Sequence, residues 1–402
     1  MQKKITLILV LCVVFLDEMG LGLVYPMFSS MVFQSNGLMA NIGASQLIKG
    51  LFLGMLYAAP AISAFISGPI LGAASDQKGR KPLYIFSLSL AVFGYMACIV
   101  SVILKNIWML IFSRAIVGIA VGNAGVVGAT VADLSTKDNK VKNFGLYSMA
   151  SGVGFMTGPF LGGIFAKNSF VVPFIMATIL TLLNLLLIVF FLKETFPGKI
   201  KNKIRYLESF YNVKKAFQQT QLRTIFAAAI VFCFAWSFFY EFIPVSWIEH
   251  GFTVKQVALF YAYGAGIYAL SSGVLIRPFV KYNNYAVVFY SIAALGLSMV
   301  GCLYMQDRFY IWVYMAILNF LIALAYPTYS AMVSNSVDEN MQGEIMGMLQ
   351  SVQMLAFGIS PILGGMFLGV STNTPMIIGG GAMLLSACIL AIFLPKVVFK
   401  MQ

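Results

Sequence analysis

Charge is scarce in this chain: only 10% of its 402 residues are Asp, Glu, Lys or Arg, against 60% that are hydrophobic. So few charges cannot keep that much apolar surface in water, which excludes an ordinary soluble domain. Histidine occurs once, as His250 beside Glu249, so a histidine-rich metal centre has no ligands to draw on. The five cysteines, Cys12, Cys98, Cys233, Cys302 and Cys388, lie far apart inside apolar runs. They are expected to be buried small hydrophobes, neither disulfides nor metal ligands. Also missing are a G-x-S-x-G elbow, a P-loop and a polar stretch long enough for a catalytic domain. An enzyme and a nucleotide-driven pump are thereby excluded, and no cofactor or metal is expected.

What the chain has instead is apolar segments of membrane length. Windows of about 20 apolar residues, enough to cross ~30 Å of hydrocarbon at 1.5 Å per residue, give twelve spans. They lie near 5–30, 48–73, 82–104, 107–131, 143–166, 171–192, 224–247, 256–277, 285–305, 309–333, 345–369 and 375–395. The expected fold is an all-α membrane protein. The first run continues through Asp17 and Glu18 without an Ala-x-Ala cleavage pattern, so it is expected to be a retained helix, not a removed signal peptide.

The net charge of +13 comes from orientation and not from a nucleic-acid partner. With the N-terminus inside, only Lys49, Lys105, Lys167, Lys255 and Arg308 of the 26 basic residues fall outside. Arg114 lies within a span and the rest face inward, which predicts both termini in the cytoplasm. In a bacterial-type cell this is a multi-pass protein of the inner membrane, with the lipid bilayer as its partner.

The polar segment 193–223 carries eight Lys and Arg and divides the chain into six-helix halves, 1–192 and 224–402. Its Tyr206–Phe217 portion reads as a basic amphipathic helix on the membrane surface or as a solvated connector. The halves repeat: Gly145, Pro159, Gly162, Gly163 and Phe165 recur 202 positions later as Gly347, Pro361, Gly364, Gly365 and Phe367. Such a parallel duplication suits a substrate path between two halves that rock against each other.

One compact run of charge separates the second span from the third, G-P-I-L-G-A-A-S-D-Q-K-G-R-K-P-L from Gly68 to Leu83. It is expected to be a tight loop. Gly72 would let another helix approach its backbone, Asp76 would sit just past the helix end, and Lys78, Arg80 and Lys81 would surround Gly79. Pro82 would open the next helix, where a missing N–H costs little. A generic positive-inside loop would need no particular spacing. The pattern G-x-x-x-D-x-x-G-R-K resembles the signature loop between helices 2 and 3 of the major facilitator superfamily of secondary transporters. That resemblance implies a conformational latch. Asp76 would face the start of helix 11 near Gly343–Gly347 while Arg80 pairs with Asp133 at the end of helix 4.

Three further spans carry candidate residues. The first holds Asp17 and Glu18 followed by Gly20, Gly22, Tyr25 and Pro26. An acid inside a span is costly and by default functional, and these two lie about 100° apart around a helix. D-x-x-G-x-G-L-x-x-P resembles helix 1 of drug/proton antiporters, tetracycline exporters especially, which points to Asp17 as the proton-coupling acid with Glu18 secondary. Both acids merely capping or snorkelling near a helix end is the plainer alternative. The fourth span holds Arg114 and the run Gly118, Gly122, Gly125, resembling a superfamily motif whose arginine is associated with proton coupling. A static Arg114–Asp17 pair is the bland alternative. The fifth holds Gly154, Gly158, Pro159, Gly162 and Gly163, resembling the G-x-x-x-G-P-x-x-G-G of exporters. These glycines would let helices 5 and 8 or their neighbours pack closely.

In the seventh span Phe238, Phe239, Tyr240, Glu241, Phe242 and Trp247 surround one acid, which suits flat or cationic amphiphiles. Tyr25 and Asn123 from the first half join Tyr240, Glu241 and Trp247 as candidates for the substrate cavity. The resemblance covers most of the first half and, through Gln342-Gly343-Glu344 and Gly347, part of the second. The ninth span has no acid, unlike that of tetracycline exporters, which argues against tetracycline itself. The sequence therefore implies a monomeric, proton-coupled antiporter exporting a small amphiphilic compound. A transporter of a specific metabolite such as a siderophore, sugar or amino acid, and a non-transporting membrane sensor on the same fold, remain as alternatives.

Overall fold

The computed structural model describes residues 2–34, 37–40, 43–136, 139–166, 169–196, 206–219, 222–275, 285–302, 308–337 and 341–401. Among them every regular element is helical, as hydrocarbon requires of an open chain that must satisfy its own backbone. Ten segments among the described residues are long and apolar enough to cross a membrane. The expected inner-loop residues Arg277 and Lys281, and 197–205 of the expected linker, lie outside the described residues.

Two compact units result, the first made of Met1–Gly43, Met55–Glu208 and Thr253–Ala262, the second of Ala44–Gly54, Ser209–Phe252 and Tyr263–Gln402. The elements in chain order begin with α1 (Gln2–Val24), α2 (Met27–Phe33), α3 (Gln46–Lys78), α4 (Arg80–Ile103) and α5 (Ile107–Val121). They continue with α6 (Ala124–Leu134), α7 (Lys140–Ala166), α8 (Val171–Phe191), α9 (Glu208–Gln218) and α10 (Arg223–Glu249). The last are α11 (Val254–Leu270), which runs into a π-turn at Ser271–Leu275, α12 (Tyr285–Gly301), α13 (Arg308–Asn335), α14 (Gln342–Phe367) and α15 (Thr374–Met401). Helices α11 and α12 stand where the eighth and ninth spans are expected. The internal repeat persists in the elements: α7 and α14 begin at Lys140 and Gln342, the same offset as their motifs, and each carries a proline, Pro159 or Pro361.

The charged run after the second span is not a loop. Helix α3 continues through Asp76 to Lys78, and one residue, Gly79 at φ +97°, separates it from α4. That left-handed conformation suits glycine and few other residues. Pro82 accordingly sits in the first turn of α4 instead of opening it. Asn106 starts α5 by accepting from the Met109 amide at 3.0 Å, a side-chain cap of the usual kind.

In the first unit α1 packs against α7 and α8, and α4 against α5 and α8. The residues of the α1–α7 contact explain its closeness. A side chain added at Gly158 would meet the Gly22 Cα at 2.6 Å, and one at Gly162 would strike the Leu23 carbonyl. Gly154 lies against the Phe15 carbonyl and the Glu18 Cβ. The fifth span was expected to pack closely with the eighth or a neighbour; Gly154, Gly158 and Gly162 lie against α1, which offers its own Gly22 at the crossing. In hydrocarbon, where lipid is as apolar as leucine, such backbone proximity is a main source of association.

The second unit is built on α10, which packs between α14 and α15, with α12 against α13 and α15. Phe232 and Tyr329 stack with ring centroids 5.9 Å apart, and the Tyr329 hydroxyl donates to the Ile225 carbonyl. The first turns of α3 belong here because Gly50 and Gly54 rest on the backbone of Gly365 and Pro361.

Of the cysteines, Cys98, Cys233 and Cys302 are buried as expected, but Cys12 and Cys388 are exposed on helix faces. On a membrane helix an outward apolar face is covered by lipid, so exposure of a small hydrophobe costs nothing there. The α1–α7 contact gives a stability prediction. Gly158→Leu should destabilise the purified protein by about 1–3 kcal/mol or more, as overpacking does. The same change at Gly125, where no atom lies within 4 Å, should cost little by thermal unfolding in detergent.

Candidate functional site

Two membrane helices of the first unit are broken, and the breaks frame the site. The first span stops at Val24 and resumes at Met27, across Tyr25 and Pro26; the fourth stops at Val121 and resumes at Ala124, across Gly122 and Asn123. Each break removes carbonyls from the helical ladder at membrane depth, where no water can replace the lost bonds. Helix α3 supplies hydroxyls to both. Tyr57 Oη donates to the Tyr25 carbonyl at 3.1 Å, and Ser67 Oγ donates to the Ile119 carbonyl at 3.1 Å. Broken helices answered by neighbouring side chains are where transporters place their binding groups.

Asp17 and Glu18 stand on α1, both partly accessible. Their separation around the helix sends them to different neighbours. The side chain of Asn123, at the break in the fourth span, lies near Asp17. Asn123 in turn donates from Nδ2 to Ser87 Oγ at 3.2 Å, and Ser87 donates to the Tyr84 carbonyl at 3.2 Å. Glu18 accepts from Ser151 Oγ of α7 at 3.0 Å, one turn before the Gly154 that makes room for it. Asn123, a candidate for the substrate cavity, is buried.

Arg114 does not join this group: among the described residues no ion pair links it to Asp17. Its guanidinium lies over the Phe28 ring, 5.0 Å from the centroid, and its Nε and Nη1 have no acceptor. Phe28 is eleven residues beyond Asp17, about 16 Å along a helix, so the two charges sit at different depths. Phe28 also packs edge-on against Tyr57 at 5.6 Å, and Tyr57 lies 4.7 Å from Tyr25. Tyr25 therefore belongs to an aromatic cluster beside the first break. In the second unit Glu241 and Trp247 are buried on α10, while Tyr240 is partly exposed and stacks on Trp236 at 5.4 Å. An apolar groove of about 280 Å³ between α1 and α7, lined by Ile8, Leu11, Cys12, Phe15, Met149, Ala150 and Val153, holds none of the expected cavity residues.

The charged run at the α3–α4 junction forms a closed cluster. Arg80 donates to Asp76 at 2.6 Å, to Asp133 at 3.1 Å and to Ser75, and its guanidinium stacks 4.7 Å above the Phe196 ring. Lys81 Nζ donates to the Val189 carbonyl at 2.8 Å. At Gly72 no atom among the described residues lies within 4 Å of where its side chain would begin.

Glu194, just past α8, was not among the candidates. Its carboxylate accepts from the amides of Arg80 at 2.9 Å and Lys81 at 3.1 Å, the first N–H groups of α4, and from those of Thr195 and Phe196. An anion at a helix start satisfies orphan donors and complements the helix dipole. Gly79 leaves it room, since a Cβ there would lie 2.5 Å from Glu194 Oε2. The only sequence signal was an acid and an aromatic residue, Glu194 and Phe196, following a span.

Comparison with known proteins agrees with this geometry. The family description Major Facilitator Superfamily matches residues 7–361. The class C tetracycline resistance protein of Escherichia coli is 28% identical over 93% of this chain and 92% of its own length. Multidrug resistance protein 1 of Bacillus subtilis is 27% identical over 93% and 92%. Among solved structures, the human organic anion transporter MFSD10 superimposes with a TM-score of 0.75 at 20% identity, covering 96% of this chain and 99% of its own. A D-xylose–proton symporter gives 0.74 at 16%, covering 96% of each chain.

The Glu194 cap can be tested without a transport assay. Glu194→Ala should cost about 1 kcal/mol, the usual worth of a helix cap, and Glu194→Gln, which keeps an acceptor, should restore part of it. Thermal unfolding of the purified variants beside Lys193→Ala, which removes only a solvated charge, is the measurement.

Proposed function

Because the chain belongs to the Major Facilitator Superfamily, we propose that it is a proton-coupled antiporter exporting small amphiphilic compounds, a drug or multidrug efflux protein. It is a multi-pass integral membrane protein, and the excess of Lys and Arg on one set of loops supports an inner-membrane orientation with both termini in the cytoplasm. The names of the relatives, tetracycline and multidrug resistance proteins, support efflux of such compounds.

The observation that carries this proposal is the partly accessible Asp17 on α1, a carboxyl group within the first membrane span. A carboxylate at membrane depth is costly when charged and cheap when neutral, so taking up a proton changes the free energy of the state that buries it. In the proposed cycle Asp17 binds a proton from one side, releases it to the other, and the compound moves in the opposite direction on the return. Glu18, held by Ser151 on α7, is the secondary acid. Tyr25 offers an aromatic face in the first unit. In the second, Glu241 favours cationic compounds. Arg114 keeps a role only through its charge at depth, since it lies away from Asp17. Around Arg80 the cluster with Asp76, Asp133, Lys81 and Glu194 acts as the latch, a set of partly exposed contacts worth about 0.5–2 kcal/mol each.

Asp17→Asn tests the assignment. In proteoliposomes the variant should lose uphill transport driven by a proton gradient while still exchanging compound against compound down its gradient. Normal pH-driven accumulation by Asp17→Asn would remove Asp17 from the coupling role.

A further inference from the structure

We propose that α9 is an interfacial helix, and that its face of Phe210, Tyr211, Lys214 and Phe217 docks on the anionic headgroup layer of the leaflet on the basic side of the protein.

The periodicity of α9 sets two faces. Ser209, Asn212 and Ala216 recur at i, i+3 and i+7, one stripe of an α-helix, and Ser209 and Ala216 are buried. Phe210 and Phe217 recur seven positions apart on another stripe, with Tyr211 and Lys214 beside them. All four of these side chains are exposed, the three rings to 50% at Phe210, 51% at Tyr211 and 38% at Phe217. Three open rings gathered on one short helix form an apolar patch that water covers poorly.

The buried stripe fixes where the open one lies. Asn212 Nδ2 donates to Ser351 Oγ of α14 at 3.4 Å, and Lys215 Nζ donates to the Glu344 carboxylate. The apolar membrane stretch of α14 begins at Glu344, and Ser351 stands about 10 Å further along it. Helix α9 therefore lies alongside the first two turns of a membrane span instead of beyond its end. The sequence left Tyr206–Phe217 as either a surface helix or a solvated connector, and the placement beside α14 supports the surface helix.

At that depth the open face fits one kind of partner. Phenylalanine and tyrosine seat at the boundary of hydrocarbon and headgroups, and a lysine among them keeps its stem in the apolar layer while its ammonium reaches phosphate. Lys215 is paired with Glu344, so the exposed charge is that of Lys214 and of Arg223, exposed at the start of α10. A zwitterionic surface would take the rings but attract Lys214 far less than an anionic one. Through Asn212 and Lys215 the docked helix would hold this end of α14 at the membrane surface.

The test is electron paramagnetic resonance on the full chain in vesicles. Cys12 and Cys388, the exposed cysteines, are changed to alanine, and a spin label is attached at Tyr211→Cys. In phosphatidylcholine vesicles that contain phosphatidylglycerol, the label should be more accessible to oxygen, which concentrates in lipid, than to a water-soluble nickel chelate. Lys214→Gln should lower the ratio of lipid-immersed to water-exposed label about fivefold, the equivalent of about 1 kcal/mol for one lysine near an anionic surface, and added salt should lower it too. Omitting phosphatidylglycerol should also lower the ratio and abolish the effect of Lys214→Gln. If Tyr211→Cys does not purify as a folded protein, the label goes on Phe217→Cys with the same expectations. A label open to nickel in vesicles with phosphatidylglycerol would overturn the proposal and leave α9 as a solvated connector or a site for a soluble protein. A label immersed equally with and without phosphatidylglycerol, and indifferent to Lys214→Gln, would overturn the anionic partner.

Discussion

Hydrocarbon offers no water to a broken backbone, and the first unit depends on how that constraint is met. Two of its membrane helices interrupt their ladders, at Tyr25–Pro26 and at Gly122–Asn123, and one neighbouring helix repairs both with the hydroxyls of Tyr57 and Ser67, ten residues apart on α3. Each interruption frees polar backbone beside a candidate residue, Tyr25 in one case and Asn123 in the other. A regular bundle would be simpler to stabilise but would have no fixed polar groups at depth. The breaks are therefore where stability is exchanged for chemistry.

The acids on α1 follow from the same economy of position. Adjacent residues on a helix point about 100° apart, so Asp17 and Glu18 cannot share one partner. Asp17 turns to the broken fourth span and Glu18 to Ser151 on α7. The glycines that bring α7 close to α1 are the ones that give Glu18 its space, so the packing contact and the acid's environment are one structural feature. Substituting a glycine there would disturb both together.

Much of this was legible in the sequence, for identifiable reasons. Length and hydropathy located the membrane helices because hydrocarbon thickness fixes how many residues a span needs. The spacing of Asp76, Gly79, Arg80 and Asp133 marked the junction cluster, because charges are rare enough here that each one stands out. What escaped notice depends on depth and direction, which one-dimensional spacing records poorly. Arg114 and Asp17 looked like partners because both are charges within spans, yet they lie at different depths. The break at Gly122–Asn123 has no proline to announce it. Glu194 is a single exposed acid after a span, and only the fold brings it to the start of α4. The length of the α3–α4 connection was overestimated because a cluster of charge resembles a loop, whereas Asp76 and Arg80 pair across the junction and let the helix run on.

The central claim is that an amphiphilic compound and protons cross in opposite directions through this chain. The direct measurement is lumenal pH in proteoliposomes of the wild-type protein, followed with a trapped pH dye as a compound gradient is imposed with no other driving force. The account predicts that inward movement of the compound drives protons out of the vesicles in proportion to the compound taken up. Movement of the compound with no change in lumenal pH, or with protons travelling in the same direction, would contradict it.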